Sequence, residues 1–115
     1  MAITQSDQSK TVLESLGEGI IAFDATRVAV VANTYASDLM GWAGTIEGEG
    51  AGDLLARLPD VLDLIERALN RQEYVTHQDV VVPEDGASQR HLRISTSSID
   101  FGDTIGVVLV IRDVS

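Results

Sequence analysis

The sequence predicts an α+β domain built on one antiparallel sheet, and three observations carry that prediction. Two short apolar runs near the N-terminus, residues 20–23 (IIAF) and 27–32 (RVAVVA), are strand-length and separated by a turn. The stretch from Val61 onward carries apolar residues at helical spacing. The last third holds three β-rich runs separated by two turn sequences, the pattern of a meander. At 115 residues the chain is one domain, long enough to bury about two-thirds of its unfolded surface.

In chain order, residues 1–10 are polar and expected to fray, and the domain is placed over residues 11–115. Thr11 and Glu14 have the spacing of a capping box, so a cap helix is expected over residues 11–17, with Val12, Leu13 and Leu16 as its apolar edge. A helix this short is marginal alone and needs its own sheet or a second copy of the chain to pack on. The core then runs over residues 18–115. Asp24 opens the turn between the first two strands. Asn33 is placed to cap a short helix over residues 34–40, which Gly41 can end in the left-handed conformation.

Four glycines in residues 42–53 predict a loop holding at most one turn of helix. The next helix, residues 61–72 (VLDLIERALNRQ), has one broad apolar face. Asp60 is expected to cap it, and Asp63 early with Arg67 and Arg71 late match the helix dipole. Strands are expected over residues 73–82, 89–99 and 104–114, joined by turns at Pro83 to Gly86 and Asp100 to Asp103. A first turn centred near Asp85 sets His77 opposite Arg93 and Asp79 opposite His91, all four on one face.

Composition excludes several functions. A net charge of −10, with a single lysine, repels phosphate backbones and anionic lipid, so neither nucleic acid nor a membrane surface is an expected partner. No cysteine is present for a disulfide, a thiolate site or a thiol nucleophile. No apolar run approaches the ~18 to 20 residues of a membrane span, and the polar start has no signal-peptide core, so the expected location is cytoplasmic. Gly48 to Gly52 superficially suggests a phosphate loop, but Glu47, Glu49 and Asp53 would repel phosphate and no Lys-Ser/Thr ending follows. His77 and His91 read as strand-surface residues rather than a metal pair or general base, since a metal site wants three or four convergent ligands. Ser95, Ser97 and Ser98 lack the glycine elbow of a nucleophile, so no enzyme is expected.

Three local motifs, in order and at fitting spacing, resemble the PAS domain family over roughly residues 11–115: Leu13 to Asp24 (LESLGEGIIAFD), Val30 to Gly41 with Asn33 and Ala36, and Gly106 to Ser115 (GVVLVIRDVS). The family commonly has a glycine in the first hairpin turn, where this chain has Asp24-Ala25-Thr26, and it ends in Asp-Ile-Thr where this chain has Asp-Val-Ser. The resemblance implies a five-stranded antiparallel sheet in the order 2-1-5-4-3 with helices on one face. It implies a non-catalytic sensory and interaction module of a larger signalling protein, such as a sensor histidine kinase.

Such a module would pass a ligand- or dimer-dependent change through the last strand, at Asp113 and Ser115, to an effector following Ser115. A candidate small-molecule pocket would be lined by Asn33, Tyr35, Met40, Trp42, Ile65, Leu69, Leu92 and Ile94. Flavin photochemistry and a thioester chromophore need a cysteine, and haem in the oxygen-sensing relatives needs a histidine on the long helix; this chain has neither, so no cofactor is expected. The alternative is a constitutive homodimerisation domain with a closed core and no ligand. Its interface would use Val12, Leu13 and Leu16 with Val108 and Val110, because both faces of the last strand are apolar.

Overall fold

The computed structural model describes residues 18–83 and 89–114. The expected cap helix, with Val12, Leu13 and Leu16, lies outside the described residues, as do Ser115 and the turn over residues 84–88. The described elements are strands β1 (Gly19–Phe23) and β2 (Ala29–Ala32), helices α1 (Thr34–Met40), α2 (Ala51–Leu54) and α3 (Pro59–Arg71), then strands β3 (Gln78–Pro83), β4 (Gln89–Asp100) and β5 (Ile105–Asp113). All five strands form one antiparallel sheet in the order β2-β1-β5-β4-β3. This is the fold class and strand order that the resemblance implied. The most apolar strands, β1 and β5, pair at the centre, from Gly19 opposite Ile111 to Phe23 opposite Val107.

Alternation along the strands sorts the side chains by face. Ile21 and Phe23 of β1, Val107, Leu109 and Ile111 of β5, and Leu92 and Ile94 of β4 are all fully buried on one face. Helix α3 lays Val61, Leu64, Ile65 and Ala68 against this face, and Leu39 and Met40 of α1 join the same core. Each large apolar side chain buried there contributes about 1.5–3 kcal/mol. Two glycines allow the close packing that this requires. A Cβ on Gly19 would lie 2.8 Å from the Ala36 Cα, and one on Gly106 would lie 2.1 Å from the Phe23 carbonyl oxygen. The opposite face carries half-buried Ile20, Val108 and Val110, with Val31 half exposed at 50%.

Four local expectations are corrected. Helix α3 begins two residues early, at Pro59, with Leu58 as its N-cap and no side-chain cap bond. Proline, lacking an N–H and fixed at a helical φ, suits the first helical position, so Asp60 adds charge to the first turn instead of capping. Strand β3 begins at Gln78 rather than residue 73, because Val75 N donates to the buried Thr96 hydroxyl at 2.9 Å in place of regular ladder pairing. The β3–β4 pairing is symmetrical about position 86, not 85, so Asp79 faces Arg93 and Val81 faces His91. That shift moves each partner by two residues and leaves every side chain on its expected face.

The fourth correction concerns the second strand, expected from Arg27: β2 begins at Ala29, and Arg27 sits in the hairpin turn with a left-handed φ of 70°. A left-handed conformation costs a non-glycine residue roughly 1–2 kcal/mol. Arg27 is held there by its N–H to the Asp24 carbonyl at 2.9 Å and by its own carbonyl accepting from Ala51 N at 2.8 Å.

Candidate functional site

Asn33 makes three bonds with one carboxamide. Its Oδ1 accepts from Ala36 N and from Ile20 N, and its Nδ2 donates to the Glu18 carbonyl, each at 2.9 Å. The side chain therefore caps α1 and pins β1 to the helix that follows β2. It is 4% exposed, and these bonds commit its polar atoms to the fold. Gly41, at φ 73°, closes the other end of α1 with its N–H on the Asp38 carbonyl.

The eight expected pocket residues do not line one cavity. Ile65, Leu92 and Ile94 fill the core at 0% exposure, and Tyr35 and Leu69 are half-buried against it. Met40 and Trp42 instead line an open cleft of about 540 Å³ at one end of the sheet. Its other walls come from the end of α1 (Asp38, Leu39, Gly41), from Asp53 and Leu54 of α2, from Arg57 and Leu58, and from Val82 and Arg90 of the outer strands. Trp42 is fixed in this wall by its indole N–H, which donates to the Leu54 carbonyl at 3.0 Å. That bond satisfies the polar edge and leaves the ring as apolar wall.

Arg90 ties the cleft to the rest of the sheet. Its Nη1 donates to the Asp38 and Leu39 carbonyls at 3.0 and 3.2 Å, placing positive charge at the C-terminal end of α1 where the helix dipole favours it. Its Nε lies 3.8 Å from Asp113 Oδ2, at the end of β5. One side chain thus touches both the cleft wall and the last strand. Sequence reasoning missed Arg90, Arg57 and the α2 residues. A signal for Arg90 was present: the inward alternation of Leu92 and Ile94 runs back to it, so an arginine occupies an inward-facing position. Arg57 and the α2 residues carried no such signal, because they sit in and after a glycine-rich stretch without periodicity.

A second polar cluster fastens the first hairpin to α3. Arg27 Nε and Nη2 donate to the two oxygens of Glu66 at 2.5 and 2.6 Å, and Nη2 also reaches Asn70 Oδ1 at 2.9 Å. The Arg27 bond holds the Glu66 carboxyl below its usual range, and Glu66 in turn holds the Arg27 guanidinium above its usual value. Asp24 is also lowered, first by the Thr26 hydroxyl and then by the Val28 N–H. His77 and His91 are exposed, and Asp79 pairs with Arg93 at 3.0 Å. Among the described residues no three His, Asp or Glu side chains are grouped to hold a metal ion.

Residues 13–115 match the family model described as the PAS fold. The chain belongs to the PAS fold family. No curated protein matches the sequence, but solved structures of other PAS domains share this one's architecture. The PAS domain of Bordetella pertussis BvgS superposes with a TM-score of 0.67 at 16% identity, covering 97% of this chain and 88% of that one. The PAS domain of nitrogen regulation protein NR(II) from Vibrio parahaemolyticus gives 0.63 at 18% identity, covering 92% and 97%. VqmA bound to DPO gives 0.74 at 12% identity, covering 93% of this chain and 57% of that one. At such identities the likeness is one of fold. No helix among the described residues is long and apolar enough to cross a membrane.

Proposed function

We propose that this PAS domain is a non-catalytic, cytoplasmic sensory module of a larger signalling protein, a sensor histidine kinase or a similar regulator. It takes a small molecule in the cleft and passes the change through β5 to an effector following Ser115. The observation that carries this reading is Arg90, which bonds the end of α1 at the cleft wall and reaches Asp113 at the end of β5. Magnitudes decide how the coupling runs. An ion pair with partners 31% and 33% exposed contributes about 0–1 kcal/mol, whereas allosteric coupling takes about 1–3 kcal/mol. The pair alone falls short, so a ligand must act on the whole Arg90 set, carbonyl bonds included. The domain works without haem, flavin or a thioester chromophore, in keeping with a sequence that has no cysteine and an α3 that has no histidine.

A second reading is a constitutive homodimer with no ligand. It is favoured by the outer sheet face, where Val108, Val110 and Ile20 lie half-buried beside Val31, and where Phe101, 42% exposed, leans over Gly106. Its interface adds Val12, Leu13 and Leu16 to these residues. Native mass spectrometry of the freshly purified wild type and Val110→Glu separates the two readings. The sensory reading expects a non-covalent small-molecule adduct that survives Val110→Glu. A clean apo dimer that Val110→Glu converts to monomer defeats it in favour of the alternative.

A further inference from the structure

The cleft is lined by charges of both signs and by apolar side chains, and that combination selects a ligand chemistry. Arg57 lines the cleft and makes no hydrogen bond or ion pair with any described residue, unlike Arg27, Arg90 and Arg93. Asp38 and Asp53 line the same cleft, and neither carboxylate pairs with a described residue. Leu54, Leu58 and Trp42 line the same cleft, and the Trp42 N–H is already satisfied. We infer that the cleft binds a free α-amino acid with an apolar side chain. The α-carboxylate pairs with Arg57, the α-ammonium with the aspartates, and the side chain with the apolar lining. This inference rests on the sensory reading of the cleft and names its ligand class.

Competing chemistries fit less well. A phosphate or a dicarboxylate would meet the field of a domain with net charge −10, whereas a zwitterion is neutral overall and pays nothing to approach. A simple cation would use the aspartates but face Arg57 and Arg90 in the same cleft. A purely apolar ligand would bury the uncommitted charges without partners, which is unfavourable. The volume, about 540 Å³, lies within the range of about 300–1,000 Å³ typical of small-molecule sites.

Isothermal titration of the full chain tests this with four probes: L-leucine, 3-methylbutylamine (leucine without its carboxylate), 4-methylpentanoate (leucine without its amine) and inorganic phosphate. L-Leucine is expected to bind saturably, and each truncated probe about tenfold or more weaker, the loss of one charge-assisted contact. Arg57→Ala, at an exposed position without partners among the described residues, is expected to weaken leucine by a similar factor and leave the melting temperature unchanged. Asp53→Asn should weaken leucine while leaving 4-methylpentanoate unaffected. No saturable heat from leucine at millimolar concentrations overturns the inference, as does full affinity in Arg57→Ala. Equal binding of leucine and 4-methylpentanoate overturns the amino-acid class but leaves the sensory reading standing. Leucine binding with the expected probe ranking, but with no change in amide exchange at the end of β5, supports the inference and defeats the sensory reading instead.

Discussion

Asn33 shows how one side chain sets the geometry of a whole corner of the domain. Replacing it with alanine removes the cap of α1 and also strips the partner from the Ile20 N–H on β1. A lost cap costs about 0.5–2 kcal/mol and a buried donor left unsatisfied about 1–3 kcal/mol. Asn33→Ala is therefore expected to destabilise by about 2–4 kcal/mol in urea unfolding, with α1 and β1 losing amide protection together. The capping role was legible from the sequence, because Asn before a short apolar stretch ending in Gly is a local signal. The bonds to Ile20 and Glu18 were not, since they depend on a tertiary approach between residues 13 and 15 positions apart. Gly106 is similar: it stands in a family motif, but its reason, the Phe23 carbonyl where a Cβ would sit, exists only once β1 and β5 pair.

At the scale of elements, the strands and the long helix were readable because their periodicities are local. Boundaries slipped where another interaction competed: Pro59 took the start of α3, and Thr96 took the Val75 N–H before β3 could begin. The candidate pocket was less legible. Helix and strand faces predict which residues turn inward, but whether inward residues line a cavity or fill a core depends on how tightly α3 and the sheet close. Here Ile65, Leu92 and Ile94 close fully, and the open space lies beside α2, in a stretch with no pattern to read.

Glu66 anchors Arg27 with both oxygens, and its folded pKa lies below the ordinary value. An unfolded glutamate titrates near ~4.3, so the pair's contribution is complete above that value and is lost as pH falls through the lower folded pKa. Since both side chains are 36% exposed, solvent screening keeps the contribution to about 1 kcal/mol or less. Glu66→Gln is expected to lower stability by that amount at neutral pH. In urea titrations its deficit relative to wild type should shrink as pH falls through the folded pKa; a deficit that grows in acid would contradict the assignment.

Across the whole molecule, the two sheet faces divide the work. The inner face packs α1 and α3 on the sheet, with Ile65, Leu92 and Ile94 at 0% exposure. The open cleft lies at the end of the sheet, where the last turn of α1 meets the outer strands. The outer face carries half-buried Ile20, Val108 and Val110 across β1 and β5, and β5 belongs to both faces. A shift at the end of β5 would therefore be felt by these side chains and by any chain continuing beyond it.

Arg90 is the link on which this account depends, so hydrogen exchange in wild type and Arg90→Gln tests it most directly. Arg90→Gln is expected to speed exchange about fivefold, the ratio for ~1 kcal/mol, at the last turn of α1 and at residues 110–114 together, with α3 unchanged. Faster exchange confined to α1, with the end of β5 protected as in wild type, would contradict it.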